Sequence, residues 1–209
     1  GNWALSAEVA GTAKIWHSED KSYSDISANG TIPAAQGFMA QVNSSSNSLT
    51  IPLASRIHSG GWYKSGTETN RILLVCKPAD GSSAQESVIR IDPEATNGFD
   101  FYWDSRFLPG GAPKFYSLID GEKISTNTLS EIAQSLEIPY GFESNGHTNY
   151  SIELAADGIS GVLVLSDLKT GATHDFSINP VYTFTAAEGD SPNRFLLKFS
   201  AVGIDETTT

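Results

Sequence analysis

The chain has 209 residues, of which 39% are hydrophobic and only 18% charged, and its formal net charge is −11. That length and apolar content suffice for a substantial core, whereas the acidity excludes nucleic acid, which needs clustered Lys and Arg, and disfavours an anionic membrane surface. A single cysteine, Cys76, excludes an internal disulfide and any multi-cysteine metal site, and no apolar run is long enough for a membrane-spanning helix.

Short β-type runs then follow one another along the chain. Ala13–His17, Gly37–Val42 and Ser48–Pro52 come first, followed by Arg71–Lys77, Ser87–Ile91 and Lys114–Leu118. The last third supplies Tyr150–Leu154, Gly161–Leu165, Ala172–Ile178, Tyr182–Thr185 and Arg194–Phe199. Most alternate apolar and polar residues, the period of a half-buried strand. Val162–Leu165 does not alternate and suits a strand covered on both faces. Cys76 closes the apolar run Ile72–Cys76, which makes it a buried, inert thiol.

Between these runs lie dipeptides that accept positive φ: Asn29–Gly30, Asp80–Gly81, Asn97–Gly98, Asp120–Gly121, Asn145–Gly146 and Asp157–Gly158. Asp167–Gly171 reads as a hairpin loop. Helical promise is confined to Leu129–Leu136, with N-cap candidates over Ser125–Ser130 and Pro139 as a stop. The expected fold is an all-β, antiparallel β-sandwich or jelly roll with at most one short helix. A soft division near Pro139 separates a β-sandwich module over 1–138 from 139–209, a smaller β-module or the second half of the same sandwich.

Several segments resemble a β-module of large secreted Bacteroidetes proteins. The segments are Pro33–Phe38, Leu49–Pro52 with Arg56–His58, Ala95–Asp100, Trp103–Asp104, and Pro113–Tyr116. In the last third they are Leu165–Asp167, Thr170–Asp175, Tyr182–Phe184 and Arg194–Phe195. In that family the module precedes the C-terminal sorting domain of the type IX secretion system. The resemblance implies export, an extracellular or cell-surface location, and attachment to larger enzymes or adhesins. It implies no particular ligand.

Catalytic signatures are lacking. His17, His58, His147 and His174 are scattered without an HExxH pair, and there is no G-x-S-x-G elbow. The expectation is a protein that is not an enzyme and has no cofactor. The segment from Asp92 to Asp100 offers hard oxygens around a tight turn, so Asp92, Glu94, Asn97 and Asp100 are candidate ligands of a structural calcium.

Aromatic residues carry the strongest recognition signal. Phe99–Phe107 packs five aromatics into nine residues, and Trp62–Tyr63 follows His58 and two glycines. Sugar rings lie flat on Trp and Tyr while Asp, Asn and Arg hold their hydroxyls. Read as a strand, Phe99–Asp104 would turn Phe99, Phe101 and Trp103 inward and Tyr102 outward. The candidate ligand-binding residues are Trp62, Tyr63, His58, Tyr102, Trp103, Asp104, Arg106 and Trp16. They suggest a non-catalytic accessory domain that binds polysaccharide. The alternative is a spacer that docks on neighbouring catalytic or sorting domains of the same polypeptide.

Overall fold

The computed structural model describes residues 9–28, 30–33, 36–43, 49, 51, 53–55, 71–132, 136–158 and 162–200. Among them are β1 (Val9–His17), β2 (Ser22–Ser27), β3 (Met39–Val42), β4 (Arg71–Pro78), β5 (Gln85–Ile91), β6 (Ser105–Arg106) and β7 (Lys114–Ile119). The remainder are β8 (Glu122–Leu129), β9 (Glu137–Glu143), β10 (Asn149–Asp157), β11 (Val162–Asp167), β12 (Ala172–Asp175), β13 (Val181–Thr185) and β14 (Asn193–Ser200). The chain is all-β, as the sequence predicts, and sandwich-like.

A small sheet runs β2-β1-β3. A large one runs β12-β11-β14-β9-β7-β8-β5-β4-β10-β13, with β6 paired to β8. Every pairing is antiparallel except β5 with β8, where Val88 faces Thr126 in a parallel register. The hairpins follow from local sequence. Asp120 and Gly121 both adopt positive φ, 49° and 86°, and set Ile119 opposite Glu122 in a two-residue turn.

Strand patterning puts one face of the large sheet inward. Ile72, Leu74 and Cys76 of β4 alternate with half-buried neighbours, as do Leu163 and Leu165 of β11. The outer faces carry cross-strand ion pairs such as Lys114–Glu143 and Lys198–Glu137. Inside, Phe142 touches Tyr150 and Phe184 at ring-centroid distances of 4.9 Å each, and Phe115 stacks on Tyr140. Each such ring contributes about 1.5–3 kcal/mol by burial.

The long sheet curls so that both of its ends close over this core. His174 of β12 packs on Tyr182 of β13 at 5.2 Å, and Tyr182 donates its hydroxyl proton to Asp167 of β11. Arg194 of β14 completes the closure. Its guanidinium reaches both oxygens of Asp167 at 3.2 and 2.9 Å and donates to the Thr185 carbonyl at 2.8 Å. Burial pushes the Asp167 carboxyl up, but the bonds from Arg194, Tyr182 and the Lys169 amide outweigh it and hold the group below its usual range.

Pro139 itself lies within β9, between β7 and β14, and β10 pairs with β4, so strands from 1–138 and from 139–209 share one sheet and one core, the arrangement of two halves of one sandwich. Other expectations are corrected. β11 buries alternate residues only, because just one of its faces meets the core. A strand covered on both faces is instead β8, whose residues from Ile124 to Leu129 are all buried. Leu129 ends that strand, and Ser130, Glu131, Ile132 and Leu136 have no regular structure, so the described part of the one segment with helical promise is not helical. Positions 133–135 lie outside the described residues. The expected strand over 48–52 is irregular at Leu49 and Ile51, and its other positions are outside the description. Ala172–Ile178 is a strand only to Asp175, after which the Asp175 carboxylate accepts the Ser177 amide and turns the chain.

Candidate functional site

A buried polar cluster joins the small sheet to the large one. Lys14 and Asp25 face each other across β1 and β2, 2.8 Å apart, with the carboxylate only 4% exposed. Asp25 also accepts hydrogen bonds from Ser105 at 2.9 Å and from Ser125 and Thr126 at 2.7 Å each. Its acceptor sites are thus filled from β1, β6 and β8, three elements remote in sequence. Burial raises the Asp25 carboxyl, but the Lys14 ammonium and the hydroxyl donors overcome that and hold it below its ordinary value. The cluster fixes where the β1–β2 turn sits on the large sheet.

That turn is one of four loops gathered at one end of the molecule. Lys21, at φ 55°, presents its carbonyl to the Gly111 and Ala112 amides at 2.7 and 3.0 Å. The Asp20 carbonyl takes the Ala84 amide at 3.0 Å from the β4–β5 loop. Asn145, in the β9–β10 loop, donates its side-chain amide to the Gly111 carbonyl at 3.2 Å and to Ser83 Oγ at 3.3 Å. His147 lies 3.6 Å from Asp80, whose carboxylate is held below its usual range first by the Ser82 amide and hydroxyl. Tyr150 stiffens the fourth loop from beneath, accepting the amides of Asn145 and His147.

Trp16 stands at the rim of these loops. It is 42% exposed, and its ring lies edge-on to Tyr23 at 4.9 Å. It can sit there because residue 110 has no side chain: a Cβ on Gly110 would lie 2.8 Å from Trp16 Cζ3 and 2.3 Å from the Lys21 carbonyl oxygen. The result is an exposed indole on a hydrogen-bonded frame, with the amide of Asn145, the imidazole of His147 and the acids Asp20 and Asp80 in the surrounding loops.

The other predicted residues are placed differently. Residues 99–104 form turns, not a strand, with the Trp103 and Asp104 amides both directed at the Asp100 carbonyl. Tyr102 is 37% exposed and its carbonyl accepts the Gly11 amide, so it clips this loop to β1, well away from the rim aromatic. Trp103 is half-buried and packs edge-on to Tyr102 at 5.0 Å. Asp104 is not a surface group. It is 1% exposed, and its two oxygens accept the Asp100 and Thr128 amides at 2.7 Å each. Burial pushes its carboxyl up to about 6, with the charge of Asp100 adding and the two amides opposing. Arg106 stacks on Phe99 at 4.1 Å and pairs with Glu122. Phe99, Tyr102 and Trp103 thus pack within their own loop, and Phe107 packs on Tyr116 of β7 at 5.2 Å. His58, Trp62 and Tyr63 lie outside the described residues.

The proposed cation ligands do not converge. Asp92 accepts the Glu94 amide, Asp100 accepts the Thr96 amide and hydroxyl, and Asn97 accepts Ser130 Oγ, while Glu94 is exposed. Among the described residues no three His, Cys, Asp or Glu side chains are gathered as a metal site. Asn145, His147, Asp80 and Tyr23 escaped the sequence reading. Asp80–Gly81 and Asn145–Gly146 are visible as turn dipeptides, but nothing local announces that the two turns meet.

A minor fimbrium subunit, Mfa5 of Porphyromonas gingivalis, is 29% identical over 144 residues, which is 66% of this chain but only 12% of that protein. The chain thus spans about an eighth of the length of the curated relative it matches. No solved structure matches the chain. One family model, described as a domain of unknown function (DUF8693), matches residues 4–199, and the chain belongs to that family.

Proposed function

We propose that the chain is a non-catalytic module of a secreted or surface-displayed multidomain protein, used for structure or adhesion, and that it contacts carbohydrate at the four-loop end. The observation that carries this reading is Trp16, an indole 42% exposed on a frame whose four loops are hydrogen-bonded to one another. Such a frame loses little freedom on binding, which favours affinity from a small contact. The likeness to a minor fimbrium subunit supports a place in a cell-surface appendage. Export by the type IX route rests on the motif resemblance alone. The reading requires no cofactor.

A second reading has the module docking on a neighbouring domain. It is favoured by Met39 and Val42 on β3 together with Leu49, Ile51 and Leu53, all exposed, the last by 74%. Binding of the purified domain to a panel of soluble and insoluble polysaccharides separates the two. Retention that is lost in Trp16→Ala supports the carbohydrate contact. Failure of every polysaccharide removes it and leaves the docking module.

A further inference from the structure

The loops that frame Trp16 also indicate which carbohydrates fit. The exposed acids at this end are Glu19, Asp20 and Asp80, set against Lys21 as the one lysine or arginine of the four loops, with His147 beside Asp80. The whole chain carries a formal charge of −11. A polyanion approaching this end meets repulsion from both the rim and the molecule, and has no arginine fork to receive its carboxylates or sulfates. The polar groups that remain at the rim suit hydroxyls instead: the exposed carboxylates of Glu19 and Asp20, which accept from them, and the imidazole of His147, while Asn145 and Gly111 are engaged in holding the loops to one another.

The apolar contact is also of sugar size. Of the large hydrophobic side chains exposed among the described residues, Trp16, at the end of β1, alone borders these four loops. A protein partner needs roughly 800 Å² on each side, far more than one indole and an adjoining Tyr edge provide, whereas one pyranose face covers one indole.

We infer that the ligand of the four-loop end is an uncharged polysaccharide, held by stacking on Trp16 and by hydrogen bonds from the loops, with polyanionic glycans rejected. This rests on the carbohydrate reading above. The diglycine step is its positioning element, because Gly110 sets where the Trp16 ring lies.

The test titrates the full chain with a panel of neutral glycans (mannan, a linear β-glucan, xyloglucan) and with alginate as the polyanion, each at low and high salt. Binding of a neutral glycan is expected to change less than about twofold with salt, since screening acts only on charges. Trp16→Ala is expected to weaken it by at least about tenfold, the scale of an interface hot spot, with the circular dichroism unchanged. Gly110→Ala should weaken it as well while Gly37→Ala, at a position open to a side chain, does not. Alginate binding that is tighter than any neutral glycan and disappears with salt overturns the inference while leaving a carbohydrate module. Neutral binding that survives Trp16→Ala overturns the placement. Failure of every glycan overturns the inference together with the reading beneath it.

Discussion

Individual side chains in this protein are fixed by what their neighbours leave no room for. Gly141 is the sharpest case: a Cβ there would stand 2.1 Å from Cε2 of Tyr116, a ring only 1% exposed whose hydroxyl is bound to Glu143. Gly141→Ala is therefore expected to destabilise the fold by about 1–3 kcal/mol, the cost of overpacking a filled site, read as a lower Tm or urea midpoint. At Arg194 the issue is charge. Arg194 and Asp167 have side chains 1% and 0% exposed, and removing one partner leaves the other buried and unpaired. Arg194→Met alone should cost about 3–5 kcal/mol in chemical unfolding, and Arg194→Met with Asp167→Leu should recover much of that loss. Equal losses in the single and double variants would show that the pair matters only for its shape. Asp104 supplies a pH signature. Its folded value, about 6, lies above the ordinary 3.8, so the folded state binds the extra proton between those values. This group's contribution is full below pH 4 and is lost as pH rises through 6. The stability of the wild type relative to Asp104→Asn should accordingly fall across that window and be flat above pH 7.

The strands show where sequence patterning succeeds and where it cannot. β4, β10, β11 and β14 alternate because one face meets the apolar core and the other meets water, and all four are visible as β-type runs. β8 reads Glu122-Lys123-Ile124-Ser125-Thr126-Asn127-Thr128-Leu129, a polar run whose Ser and Thr read as helix N-cap candidates, although it is central to the large sheet. Its polar residues are buried because the layer above them is also polar: Ser125 and Thr126 satisfy Asp25, and the Thr128 amide satisfies Asp104. A hydrophobicity pattern has no means of recognising a strand whose partner is a carboxylate 100 residues away. The same physics makes a prediction for the small sheet. Lys14→Met leaves Asp25 buried among hydroxyls with no counter-charge, so β1 and β2 amides should exchange hydrogen faster while those of β9 and β14 keep their protection. The Asp25 carboxyl is held below its ordinary value, so its contribution is present above pH 4 and is lost as pH falls through the lowered value. Acidification should therefore loosen β1 and β2 in the wild type, read as faster amide exchange there. At the 92–104 loop the carboxylates of Asp92, Asp100 and Asp104 are already occupied by amides, and millimolar calcium is expected to leave the Tm unchanged; a rise of several degrees would restore the cation site.

Taken whole, the molecule joins a hydrophobic, closed sheet to a small sheet held by charge and hydroxyls, and it presents four cross-linked loops at one end. Fold class was legible because periodicity and turn dipeptides are local. The site was legible only in part. Trp16 could be singled out as an aromatic at a strand end, but the 99–107 run drew more weight by composition and is largely consumed by Arg106–Phe99 and Tyr102–Trp103 packing. The rest of the site is made by long-range meetings of Lys21, Ser83, Gly111 and Asn145, which are far apart in sequence and neighbours only in space. In the proposed reading this end, and not the Tyr102 loop, is the contact surface of the module. Amide chemical-shift mapping by NMR during titration with a bound neutral glycan tests it most directly. Perturbations concentrated on Trp16, Tyr23, Gly110, Gly111 and Asn145 are the predicted result. Perturbations centred on Tyr102 to Arg106, or a spectrum unchanged at the four loops, would contradict it.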